Sequence, residues 1–275
     1  MHVAAALLSA VLHASWNAGV KASPRPTEAM AAQMLIGAVL VVPGLAWTGL
    51  PVAASWPWIA ASTLMNIVTV TALLRAYELG GFGVVYPVVR AVSVLLVVPL
   101  AALLVGDRLG LGAIAGVGLI ALSLGMLAYG AASGRDFGMR SLAWTLVTGL
   151  ATAAYIACDA RGVRAAGSAW AYGFAVTITN AIAMGWRQRR VATPWRLIRG
   201  NAGVALPAAI AAVVSYLVIL WVWTRAPIAT ASALRDTSAV FAILIAVFWL
   251  KEPLTPSRLL AVLSAALAVP LLRLG

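Results

Sequence analysis

Residues 84–109 read VVYPVVRAVSVLLVVPLAALLVGDRL, an apolar stretch of membrane length interrupted by Pro87 and by the cation Arg90. A second stretch, RDTSAVFAILIAVFWLKEPL from Arg235, repeats the arrangement: a cation, an apolar run, and an acid seventeen residues on. The pairs are Arg90 with Asp107 and Arg235 with Glu252, and 235 − 90 and 252 − 107 are both 145. A charge near the middle of a bilayer costs about 2.5–3.5 kcal/mol on insertion scales, so it needs a partner, a backbone carbonyl or water. The repeated cation therefore marks a polar cavity inside an apolar bundle.

Composition agrees with a bundle in lipid. Hydrophobic residues make up 63% of the 275, charged residues 9%, and mean hydropathy is +1.01, too little polar surface to cover a soluble globule. The net charge of +12 does not indicate a nucleic-acid partner, because most of the cations fall in short loops between apolar segments, as membrane topology requires. The single cysteine, Cys158, has no partner for an intramolecular disulfide and reads as a small apolar side chain. The N-terminal apolar run lacks a basic leader and is read as a retained first helix.

About twenty helical residues cross a hydrocarbon core. Ten segments fit, at 3–22, 28–48, 56–79, 84–105, 111–131, 141–160, 168–186, 203–224, 228–250 and 256–273. The repeat extends beyond the arginines: Ser93 maps on Ser238, Leu109 on Leu254, and Gly19-Val20-Lys21 on Gly162-Val163-Arg164. The expected fold is an all-α integral membrane protein of ten transmembrane helices, built as two five-helix repeats, residues 1–134 and 135–275. An odd number of spans per unit inverts the second repeat, and such transporters keep their site at the repeat interface near the midplane. The count of Lys and Arg, eleven on the side of the loops after spans 1, 3, 5, 7 and 9 against five opposite, places both termini outside.

The fourth span ends in Gly106-Asp107-Arg108-Leu109 and its counterpart in Leu250-Lys251-Glu252-Pro253-Leu254. These turns, on five-plus-five inverted spans, resemble the EamA branch of the drug/metabolite transporter superfamily over nearly the whole chain, although that branch more often carries Glu where Asp107 stands. Within that branch the chain resembles YddG-like bacterial exporters of aromatic amino acids. It implies a multi-pass carrier in a bacterial inner membrane, and it implies cytoplasmic termini, against the charge count.

Several residues are candidates for substrate contact. Arg90 and Arg235 present a planar donor fork suited to a carboxylate; the alternative is that they hold helices together through carbonyls or Asp236. Tyr86-Pro87 precedes Arg90 by one turn, where proline frees carbonyl groups, whereas Pro227 merely starts its helix. His13, Trp16 and Asn17, at i, i+3 and i+4, put one polar face on an otherwise apolar first span. His13 offers a proton carrier or a structural hydrogen bond; Trp16 offers a cavity wall or an interface anchor. In the sixth span Tyr155 and Asp159 are one turn apart, and pairing of Asp159 with Arg161 or Arg164 at the surface is the favoured reading. Tyr77 and Glu78 close the third span, where Arg75 can satisfy Glu78. Tyr216 and Ser238 complete the set, and the four tyrosines at 77, 86, 155 and 216 suggest a pocket for an aromatic group.

No GxxxxGK[ST], HExxH or GxSxG motif and no Cys/His cluster occurs, so nothing calls for an enzyme, a metal or a cofactor. The expected function is export of small amphipathic metabolites, aromatic amino acids first, by alternating access. The alternatives are a nucleotide-sugar or phosphate-ester carrier, which would want both arginines converging on phosphate, and a scaffold or sensor that moves no solute. Apart from lipid and substrate no partner is implied. Duplication within one chain makes a monomer sufficient and leaves a homodimer open.

Overall fold

The structure, a computed structural model, describes residues 1–80, 82–106, 110–132 and 138–241, with 244, 256, 260, 263, 264, 267, 268 and 271. The acidic helix ends at Asp107 and Glu252, their flanking turns, and the expected tenth span lie outside the described residues, apart from isolated positions.

Among the described residues every regular element is helical: α1 (His2–Lys21), α2 (Pro26–Thr48), α3 (Trp56–Leu79), α4 (Phe82–Val105), α5 (Leu111–Ala132), α6 (Met139–Ala165), α7 (Ala169–Gln188), α8 (Pro194–Trp223) and α9 (Ile228–Asp236). A 3₁₀ turn, Ala53–Ser55, precedes α3. Helix starts follow sequence chemistry. α2, α3 and α8 carry proline in their first two positions, and Pro227 is the N-cap of α9; proline's fixed φ suits the first turn, where its missing N–H costs nothing. Ser168 caps α7 by accepting from the Ala171 amide at 3.3 Å. Gly49 and Gly167, at φ 72° and 74°, turn the chain after α2 and α6 in the left-handed region that other residues avoid.

Five described helices, α1, α3 with its 3₁₀ turn, α2, α6 and α8, are long and apolar enough to cross a membrane. α7 is not in that group, since Thr177, Thr179 and Asn180 dilute its apolar run. The bundle turns Val39, Leu64, Leu122, Ile182 and Ile210, each at least half exposed, outward. In water such a surface would aggregate; in lipid it is solvated.

Two boundaries differ from expectation. α8 begins at Pro194 rather than near 203, so Arg196 and Arg199 sit on its first turns instead of in a loop. Pro194 nucleates the helix, and no breaker follows that its neighbours do not tolerate; even Pro207 is accommodated inside it. The expected ninth span does not run unbroken through 228–250: α9 ends at Asp236 and Thr237 forms a turn. There Thr237 Oγ1 donates to the Leu234 carbonyl at 2.6 Å, an alternative to the helical ladder. The interruption stands beside Arg235 and Asp236.

Helix contacts set the frame of the cavity. α1 packs on α8 and α9, α3 on α6, α4 on α5 and α6, and α2 on both α7 and α8. Small residues permit the approach: a Cβ added at Gly149 would meet the Val92 side chain at 2.6 Å, so α6 lies directly against α4. Hydroxyls join the helices. Ser9 Oγ donates to the Ser215 carbonyl and Ser215 Oγ to the Ser9 carbonyl, both at 2.8 Å, clasping α1 to α8 where neither residue sees solvent. Thr63 and Thr179 join α3 to α7 at 2.7 Å. Each such bond in a membrane contributes about 0.6 kcal/mol on average.

Candidate functional site

A cavity with about 160 Å³ open to the centre of a water molecule lies inside the bundle, lined from α1, α2, α3, α4, α6, α7, α8 and α9. One water needs about 10–15 Å³ on this measure, so the space suits a solute of many atoms. Nine of the twelve candidate residues line it: His13, Trp16, Asn17, Tyr86, Arg90, Tyr155, Asp159, Tyr216 and Arg235.

The first cluster joins α1, α4 and α9. α1 presents His13, Trp16 and Asn17 one turn apart on its buried face: Trp16 meets the His13 ring edge-on at 5.1 Å, and Asn17 Nδ2 donates to the His13 carbonyl at 2.8 Å. α4 contributes Arg90, one turn after Tyr86, with its guanidinium 5.1 Å from the Tyr86 ring centroid. Arg90 Nη1 donates to Asp236 Oδ1 at 3.0 Å, and Arg90 Nη2 donates to His13 Nε2 at 2.6 Å. Arg235 Nη2 stands 3.3 Å from His13 Nδ1. Guanidinium only donates, and a neutral imidazole has one acceptor nitrogen. The neutral ring can therefore accept from only one of the two arginines, and the shorter contact is the one to Arg90.

The second cluster joins α6, α7 and α8. Asp159 Oδ1 accepts from the Tyr172 hydroxyl at 3.0 Å and Oδ2 from the Tyr216 hydroxyl at 2.7 Å. This corrects the surface pairing expected from the sequence. Asp159 is 1% exposed, and Arg164 instead donates to the carbonyls of Trp223 and Ala226, at 3.1 and 3.3 Å. α6 turns Asp159 and Tyr155 inward on the same face, while Arg164 lies in its last turn and reaches the end of α8.

Three candidates stand elsewhere. Glu78 is at the surface, paired with Arg75 at 2.6 Å. Tyr77 is half-buried at the end of α3, with Lys21 Nζ 5.2 Å from its ring centroid, and is not part of the lining. Ser238 stands behind the wall, its hydroxyl 3.0 Å from that of Tyr86. Ser93, with which the sequence spacing pairs it, is likewise wholly buried.

The lining also includes Gln33, Asn66, Thr69, Thr148, Thr152, Thr177 and Asn180, which were not singled out from the sequence. The signal was there as pairs three or four apart: Asn66 with Thr69, Thr148 with Thr152, and Thr177 with Asn180 each put two polar groups on one face of an apolar helix. Tyr172 was missed because its role appears only when α7 is packed on α6. Among the described residues no three His, Cys, Asp or Glu gather as a metal site would require.

Residues 139–274 match the family described as EamA-like transporter family. That family is one of membrane transporters, and the match covers 136 of the 275 residues. No curated protein matches the chain. Among solved structures, one crystal structure superposes with a TM-score of 0.71, covering 99% of this chain and 95% of its own at 18% identity. At that identity the likeness speaks for the fold alone.

Proposed function

With an EamA-like transporter domain over residues 139–274 as the premise, we propose that the chain exports small amphipathic metabolites, aromatic amino acids first, by alternating access through the central cavity in a bacterial inner membrane. The observation that carries this reading is the cavity itself: a solute-sized, mainly apolar chamber that bears buried guanidinium and carboxylate groups together with aromatic rings. Trp16, Tyr86, Tyr155 and Tyr216 supply flat apolar faces with polar edges, which suit an aromatic side chain.

The proposed architecture is ten spans in two inverted repeats, 1–134 and 135–275. Helix pairing supports it. Exchanging first-repeat for second-repeat helices turns the contact of α1 with α8 into that of α6 with α3, and the contact of α4 with α6 into that of α9 with α1, and all four occur. Rocking of one half on the other would then open the cavity to each side in turn. A phosphate-ester carrier fits less well. It would draw on both guanidiniums, and Arg90 is already taken by Asp236.

The test is flux through proteoliposomes holding only this protein, offered a labelled mixture of amino acids and phosphorylated metabolites. Saturable movement of Phe, Tyr or Trp is the expected result. Movement of phosphorylated compounds alone would replace the aromatic reading, and movement of nothing would leave a scaffold or sensor subunit.

A further inference from the structure

We propose that the two arginines, equivalent in the repeat, have divided roles: Arg90 closes α4 against α9, and Arg235 is the anchor for a single carboxylate on a substrate with an aromatic body. This rests on the transport reading and names the chemical class and the receiving residue. Arg90 is the more fully paired of the two. One nitrogen donates to Asp236, a second to His13, and the guanidinium lies near the Tyr86 ring, so that only its Nε has no hydrogen-bond partner among the described residues. Arg235 is equally buried, at 5% exposure, but Nε and Nη1 have no hydrogen-bond partner among the described residues, and Nη2 makes only the longer of the two arginine contacts to His13, at 3.3 Å.

The neighbouring carboxylates do not fill that need. Asp236 follows Arg235 in the chain, but its Oδ1 is turned to Arg90 and its Oδ2 meets no donor among the described residues, Arg235 included, while both oxygens of Asp159 accept tyrosine hydroxyls. A buried guanidinium on the cavity wall with Nε and Nη1 unpartnered is costly unless a ligand completes it. A carboxylate does so best, because it accepts charge-assisted hydrogen bonds from a planar donor set. The rest of the lining fits the body of such a ligand, with Trp16, Leu73, Val89, Tyr155 and Tyr216 on the same cavity. One receptor cation selects a monoanion over a phosphate dianion, which would need a second.

The test is equilibrium dialysis of the full chain in detergent against labelled phenylacetate and its neutral isostere, phenylacetamide. The wild type is expected to bind the acid about tenfold or more tightly over the amide, the worth of one charge-assisted hydrogen bond. Arg235→Gln should abolish that preference, and Arg235→Lys, which keeps the charge but not the planar fork, should keep the preference with weaker binding. Arg75→Lys, at the surface away from the cavity, should leave the preference intact. Equal binding of acid and amide by the wild type, binding of neither, or a preference that survives Arg235→Gln would overturn the assignment. If Arg235→Gln does not fold, Arg235→Lys decides, and unchanged acid affinity there overturns it too. Acid binding at Arg235 without flux in proteoliposomes would uphold the anchor and remove the transport reading. Flux of neutral solutes with no acid preference would do the reverse.

Discussion

Asp236→Ala is expected to destabilise the protein by about 3–5 kcal/mol, because it leaves the Arg90 guanidinium buried without its carboxylate. Both partners are nearly inaccessible, with side-chain exposures of 7% and 2%, and the pair ties α4 to α9 at 3.0 Å. Truncating either partner alone should therefore produce a large drop in thermal stability in detergent. Replacing both together, Arg90→Met with Asp236→Leu, should recover most of the loss, since a buried ion pair exchanged for apolar residues of similar volume is often neutral or stabilising. A single Asp236→Ala variant that unfolds at the wild-type temperature would show that the pair does not hold the helices together.

Asp159→Ala carries the second large effect. It orphans two buried hydroxyls at once, those of Tyr172 and Tyr216, and each unsatisfied group costs about 1–3 kcal/mol. Adding Tyr172→Phe and Tyr216→Phe to that variant removes the orphaned groups and should restore part of the stability. Flux should stay low, because the cavity has lost a wall carboxylate. Arg164→Gln should spare this cluster, since Arg164 donates to carbonyls at the end of α8 rather than to Asp159. Equal losses from Asp159→Ala and Arg164→Gln, with no rescue by the phenylalanines, would reinstate the surface ion pair.

These two sites show where sequence reading reached and where it stopped. Arg90 and Arg235 were legible because a charge in a membrane-length apolar run has few permitted surroundings, and a cavity was the permitted one that recurred in both halves. The i, i+3, i+4 face of α1 was legible for the same reason: helical periodicity places His13, Trp16 and Asn17 together whatever α1 packs against. Asp159 was read toward the wrong partner. Along the chain the nearest opposite charges are Arg161 and Arg164, whereas the groups that satisfy it come from α7 and α8, and tyrosine hydroxyls carry no sequence mark of such a role. Glu78 and Tyr77 illustrate the opposite error, since residues at a helix end need not reach a cavity at its middle. The division between the arginines was beyond the sequence too. Both stand in apolar stretches of the sequence, and only the packed helices show Asp236, adjacent to Arg235, bonded to Arg90, with His13 closer to Arg90 as well.

The central claim is that the cavity is the path of the solute, and cysteine accessibility tests it directly. Cys158 is the single cysteine, so Cys158→Ser gives a clean background for Thr152→Cys, at a buried position on the cavity wall. In sealed vesicles the engineered thiol should react with a membrane-impermeant reagent added from either face, as the two halves rock. Saturating phenylalanine should slow that reaction. Labelling from one face only, or a rate indifferent to phenylalanine, would contradict passage of an aromatic amino acid through this cavity.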